Sequence, residues 1–195
     1  SCEERFLELP QEVLITVMKK HQRYFPVVDS AGRLMPYFIA VRNGDKEHMD
    51  IVRAGNEEVL RARFADAVFF YESDRKRKLE DFLPKLRTLT FQEKLGSMLD
   101  KAHRLEKLVP AVGKRMGLSD DEMKIAHRAA HLCKADLATE MVIELTALQG
   151  VMGRQYALLS GEREEVAQAI FEHYLPRFAG DKLPESRPGI ALGLA

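Results

Sequence analysis

Two four-residue strings, Thr90-Phe-Gln-Glu93 and Ser119-Asp-Asp-Glu122, constrain this chain more than any other feature. Each fits the S/T-x-x-E capping box, in which a hydroxyl and a carboxylate satisfy the orphan N–H groups at a helix start. Two helices are therefore expected to begin there. Behind the first, Phe91, Leu95, Met98, Leu99, Ala102, Leu105 and Val109 form an apolar stripe, and Gly117 is placed to end it in a left-handed cap. The second is expected over about Asp120 to Leu132. Met141 to Leu148 and Glu162 to Leu175 continue the helical pattern, Gly150 and Gly153 interrupt it, and Pro176 closes the last run. Residues 85–195 thus read as an all-helical bundle.

The first third reads differently. Pro10 stands at a helix start, and Val13, Leu14, Val17 and Met18 recur at helical spacing to about His21. Tyr24 to Val28 and Leu34 to Val41 are β-rich runs joined by Asp29-Ser-Ala-Gly32, a hairpin, and Arg42-Asn-Gly-Asp45 closes the second. Two strands alone are marginal in water, so this portion is expected to complete a larger sheet. Asn56 is the expected N-cap of a long helix running through Arg75-Lys-Arg-Lys78 to Pro84, where the ring breaks it. The fold class is α+β and mostly α-helical, in three parts: 1–55, a helix plus hairpin; 56–84, a connecting helix; and 85–195, the bundle. Pro188-Gly189 launches an apolar run, Ile190 to Ala195, that stops as a helix would be established, which reads as an excised piece with Ser1 left by cloning.

Composition narrows the functions. Thirty basic and 30 acidic side chains give a net charge of zero, so any RNA contact must be local rather than global. The longest apolar stretches, such as Ala65 to Tyr71, are far short of the roughly 20 residues of a membrane span. With no secretory signal in the first residues, the cytoplasm is the expected location. Cys2 and Cys133 match no metal-knuckle or redox spacing and read as free thiols.

His103, His127, His131 and Asp136 form the only cluster suggestive of metal, with two histidines four apart on one helical face. No Glu follows His127 to make H-E-x-x-H, and a packing role is the better reading. Gly150-Val-Met-Gly153 lacks the phosphate-loop spacing, and no strand-turn-helix elbow supplies a nucleophile. Two basic segments remain. Lys19-Lys-His-Gln-Arg-Tyr-Phe25 interleaves cations with aromatics, as phosphate contact and base stacking require, although Tyr24 and Phe25 are equally suited to a core. Arg75 to Lys78 is a four-cation run that Asp74, Glu80 and Asp81 could neutralise as a solvated helix face.

Three strings, Leu9 to Phe25, Ile51 to Ala67 and Gln149 to Ala157, resemble the β subunit of bacterial, heterotetrameric glycyl-tRNA synthetase, in order and across nearly the whole chain. The resemblance implies an internal fragment of a ligase subunit. In that family an α subunit holds the class II active site for ATP, with Mg, and glycine, while the β subunit binds tRNA. This chain is then expected to hold no cofactor or metal and no catalytic residue. Its expected partners are tRNA-Gly, the α subunit and the remaining β-subunit domains, with no membrane. Residues 1–55 become the end of a tRNA-handling module, and 85–195 an HD-type bundle truncated at its C-terminal end. On the HD pattern His103 matches the first histidine, whereas Cys133 and Lys134 stand where the His-Asp dyad belongs, so the metal site is degenerate. Contacts to the acceptor arm are expected from Lys19, Lys20, His21, Arg23, Lys76, Lys78, Lys134 and Arg154. Two other functions fit less well: a metal-dependent HD phosphohydrolase, and a module serving only assembly between domains.

Overall fold

A computed structural model describes residues 3–45 and 47–195, with the backbone alone at His21 and Gln22; the expectations for Ser1, Cys2 and the His21 side chain lie outside the described residues. The chain divides into two compact units, Ser1–Ser73 and Asp74–Ala195.

In the first unit, a 3-10 turn at Glu4–Glu8 buries Phe6, and helix α1 (Gln11–Gln22) starts directly after Pro10. Its inward face is Val13, Leu14, Val17 and Met18, all at most 2% exposed. Arg23, at φ 53°, ends the helix in the left-handed region, and strand β1 (Phe25–Val28) follows. It pairs antiparallel with β2 (Leu34–Ile39), placing Phe25 opposite Ile39 and Val28 opposite Leu34. The turn is held by Asp29, whose Oδ1 accepts the amides of Ala31 and Arg33 at 2.9 Å each. The sheet has these two strands among the described residues, and Phe25, Tyr37 and Ile39 stand 50–57% exposed.

Helix α2 (Met49–Asp74) begins seven residues before Asn56, the expected N-cap. Asn56 instead lies inside the helix, where its Oδ1 accepts the Tyr24 hydroxyl at 2.9 Å. Leu60, Phe64 and Ala67 supply the buried face, with the Phe64 and Phe6 rings 5.4 Å apart.

The second unit departs from expectation at its start. The long helix stops at Asp74 rather than continuing to Pro84; Arg75 to Lys78 form a turn, and Pro84 sits within a 3-10 segment, Leu79–Thr88. That segment buries Leu79, Phe82, Leu83 and Leu86. Thr90 caps no helix: strands β3 (Thr90–Gln92) and β4 (Gly96–Ser97) form a small hairpin, and Phe91 and Leu95 are exposed. The capping box lies seven residues on. Ser97 Oγ accepts the Asp100 amide at 3.2 Å, and Asp100 Oδ2 accepts the Ser97 amide at 2.7 Å, opening α3 (Met98–Met116).

Gly117, at φ 66°, ends α3, and the Ser119 and Glu122 box starts α4 (Asp120–Leu132) as the sequence predicts. Ala126, Ala129 and Ala130 of α4 are 0% exposed, and the small side chains let α3 and two later helices approach it closely. Those are α7 (Glu164–Glu172) and α8 (Arg187–Leu194). Between α4 and α7 lie α5 (Glu140–Glu144), a 3-10 turn at Thr146–Leu148, and α6 (Val151–Leu159). The protein is mostly helical with a small α+β portion, the expected fold class.

Candidate nucleic-acid interface

In the first unit, Lys19 and Lys20 are exposed in the last turn of α1, where the C-terminal end of the helix dipole favours cations. The left-handed Arg23 turns the chain sharply, which splits the adjoining aromatics. Tyr24 is 7% exposed, with its ring 4.8 Å from that of Phe38, whereas Phe25 is 57% exposed. Tyr24 therefore belongs to the core and Phe25 to the surface, with Arg23 exposed beside them.

In the second unit, Arg75 to Lys78 are all exposed. Two of the acids expected to neutralise them, Asp74 and Glu80, are engaged elsewhere. Asp74 is 2% exposed and accepts the backbone amides of Glu140 and Met141 and the Tyr156 hydroxyl at 2.9–3.0 Å, capping α5 from a distance. Glu80 accepts from Arg128 at 3.0 Å and lies 3.1 Å from His131, and the Arg128 guanidinium with that imidazole holds its carboxyl down at about 2. Asp81 Oδ2 accepts the backbone amide of Lys78 at 3.0 Å.

Lys134 is a correction. It is 6% exposed, which withdraws its ammonium from any phosphate on the surface. Its Nζ donates to Nε2 of His173 at 2.7 Å and lies 4.1 Å from the Tyr174 ring centre. Arg154 is half-buried on α6, its guanidinium stacked 4.7 Å over Phe171.

The four suggestive histidine and aspartate positions are not brought together either. His103 and His127 are exposed, while His131 is spent on Glu106 at 2.8 Å and on Glu80. Asp136 is fully buried, and its Oδ2 accepts the amides of Gly150 at 2.6 Å and Gly153 at 3.1 Å. An internal carboxylate thus fills the α6 N-terminus, the place where a phosphate loop would hold its ligand. Both glycines are needed for this approach: a Cβ at Gly150 would lie 2.5 Å from the Tyr174 ring, and one at Gly153 2.8 Å from Ile170. Burial raises the Asp136 carboxyl to about 6 and the Cys133 thiol to about 12. Among the described residues, no three His, Cys, Asp or Glu side chains converge as metal ligands.

The His173 and Asp136 partnerships were not foreseeable from spacing, because their partners lie 39 and 14 residues away. Only the paired glycines hinted at a close approach.

This architecture is that of a mostly helical, two-unit protein with exposed basic segments, in which no described helix is long and apolar enough to cross a membrane. The sequence pattern of the glycyl-tRNA synthetase beta subunit matches residues 1–195, and the chain belongs to that family. It is 55% identical to the glycine–tRNA ligase beta subunit of Halothermothrix orenii over 190 residues, covering 97% of this chain and 28% of that protein. With the beta subunit of Clostridioides difficile it shares 56% identity over 190 residues, again 97% of this chain and 27% of the relative. The Synechocystis beta subunit is 51% identical over 193 residues, 99% of this chain and 27% of its own length. The chain therefore spans little more than a quarter of these relatives.

Proposed function

We propose that this chain is a tRNA-holding part of a cytoplasmic glycyl-tRNA synthetase, binding tRNA-Gly on its acceptor-arm side through local basic segments. The chemical step, with ATP, Mg and glycine, belongs to a separate α subunit of class II type, and this chain contributes no catalytic group. The observation that carries the reading is the commitment of Asp74 and Glu80 to other partners beside the exposed Lys76, Arg77 and Lys78. Cations whose nearest acids are otherwise engaged gain most from meeting a phosphate. Lys19, Lys20 and Arg23 in the first unit, and Lys76, Lys78 and Arg154 in the second, are the contacts. In this reading the helical unit is an HD-type bundle whose dyad positions, Cys133 and Lys134, have become internal packing.

Assembly with other domains is favoured alongside it by one observation. Phe25, Tyr37 and Ile39 form an apolar face on a two-stranded sheet, and exposed apolar patches mark contact surfaces. The remaining β-subunit domains are the occupant of that face.

Fluorescence anisotropy of labelled tRNA-Gly across a salt series, with a non-cognate tRNA and a DNA duplex as controls, tests the tRNA reading. Binding that prefers tRNA and weakens along a log-salt line is expected. No binding at low salt would leave assembly as the function.

A further inference from the structure

A pocket of about 610 Å³ lies wholly within the first unit, between the hairpin and the N-terminal half of α2. Arg23, Arg42 and Arg53 bring three guanidinium groups to it beside the Glu57 carboxylate; Arg42 lies 3.6 Å from Asp45 and Arg53 3.5 Å from Asp50, both exposed pairs that a phosphate could replace. Phe38 and Val52 supply apolar wall between them. Arg42 is pre-positioned, since its Nη1 donates to the Glu47 carbonyl at 2.8 Å. Among the described residues the Arg23 guanidinium has no hydrogen-bond or ion-pair partner.

Asn56 lines the same pocket, and its Oδ1 is taken by the Tyr24 hydroxyl, which leaves the NH2 group as a donor at the pocket wall. An amide donor held in place in this way meets an acceptor on the edge of a heteroaromatic base. Arg23 and His48, the two described non-glycine residues with positive φ, stand at this pocket and next to its Met49 wall respectively. Such conformations gather at binding sites.

Guanidiniums for a phosphate, an apolar wall for a ring and an amide donor for its edge match one nucleotide. The volume suits a single unit, within the roughly 300–1,000 Å³ of ligand pockets, and excludes a duplex. We infer that this pocket takes one unpaired nucleotide of a bound RNA, with its phosphate on Arg23 and Arg53 and its base against Phe38 and Val52. The inference deepens the tRNA reading and rests on it.

The test uses the full-length subunit and this chain, with three probes: tRNA-Gly, a single-stranded pentaribonucleotide and free AMP. Two variants are made. Arg23→Gly removes the side chain at a backbone position that glycine adopts freely, and Arg53→Glu reverses a charge at an exposed site. Both are expected to weaken pentanucleotide binding about tenfold, the value of one charge-assisted hydrogen bond, while a duplex RNA control changes less than twofold. Equal losses on duplex and single strand, or no loss with either variant, overturn the pocket. Failure of the pentanucleotide to bind while tRNA-Gly does also overturns it and leaves the tRNA reading standing; failure of both removes the two together. AMP binding as tightly as the pentanucleotide overturns the RNA source and assigns the pocket to a free nucleotide.

Discussion

Lys134 Nζ lies 2.7 Å from Nε2 of His173 inside the helical unit, an ammonium donating to a neutral imidazole. The Nδ1–H of His173 donates to the Ile170 carbonyl at 2.6 Å, which fixes the tautomer and leaves Nε2 its lone pair. Burial first, and the Lys134 charge second, push the imidazole well below its ordinary value. The unfolded chain therefore takes up a proton at His173 near pH 6.5 that the folded one refuses. Stability from this group is complete above about pH 6.5 and is lost as pH falls below it. Urea unfolding of the wild type and of His173→Gln across pH 5–8 checks this: the wild-type stability should fall with acid more steeply than that of the variant.

Asp136 works in the opposite direction. Burial raises its carboxyl to about 6, so the folded state holds a proton that the unfolded state releases near pH 4, and stability declines as pH rises through this window. The wild type and Asp136→Asn should accordingly differ most in slope between about pH 4 and 6, with the variant lacking the decline. Removing the carboxyl altogether, as in Asp136→Ala, leaves the Gly150 and Gly153 amides without their acceptor and should cost about 2–4 kcal/mol in chemical denaturation.

The α6 entry should tolerate no side chain. Gly150→Ala meets both a φ of 76° and the Tyr174 ring, and a loss of about 2–4 kcal/mol is expected. Gly32→Ala is the comparison: it also has a positive φ, 77°, but nothing lies within 4 Å of its Cβ, and it should lose only about 1 kcal/mol. Equal losses at the two sites would contradict the packing described around Asp136.

What the sequence made legible was the local chemistry. Ser119, Glu122 and Gly117 each act through groups within a few residues, and the structure puts all three in their expected places. Thr90-Phe-Gln-Glu93 carries the same pattern and caps nothing. There Met98 N–H donates to the Leu89 carbonyl at 2.8 Å, and Lys101 lies 4.2 Å from the Phe91 ring centre, so a hairpin competes successfully with the helix. Asn56 was misleading for a related reason: its oxygen is claimed by Tyr24, 32 residues away, and the helix is already running before it. Lys134 looked like a surface cation because nothing in its neighbourhood announces His173.

Cys133 should be unreactive in the folded protein, since burial pushes its thiol to about 12 and its Sγ donates to the Ala130 carbonyl at 3.3 Å. In a Cys2→Ala background, iodoacetamide at pH 8 should label the native chain negligibly and the urea-unfolded chain fully, as read by intact-mass spectrometry. Rapid native labelling would show the bundle opening around α4.

The central claim is that the exposed turn after α2 meets RNA phosphates, and the salt dependence of tRNA-Gly binding measures it directly. Each phosphate contact adds about 0.7–0.9 to the slope of log affinity against log salt. Lys76→Ala/Lys78→Ala should weaken binding at low salt, flatten the slope by about 1.5 and leave the unfolding midpoint unchanged. An affinity and slope identical to those of the wild type would contradict the account and place the tRNA, if it binds at all, on another surface.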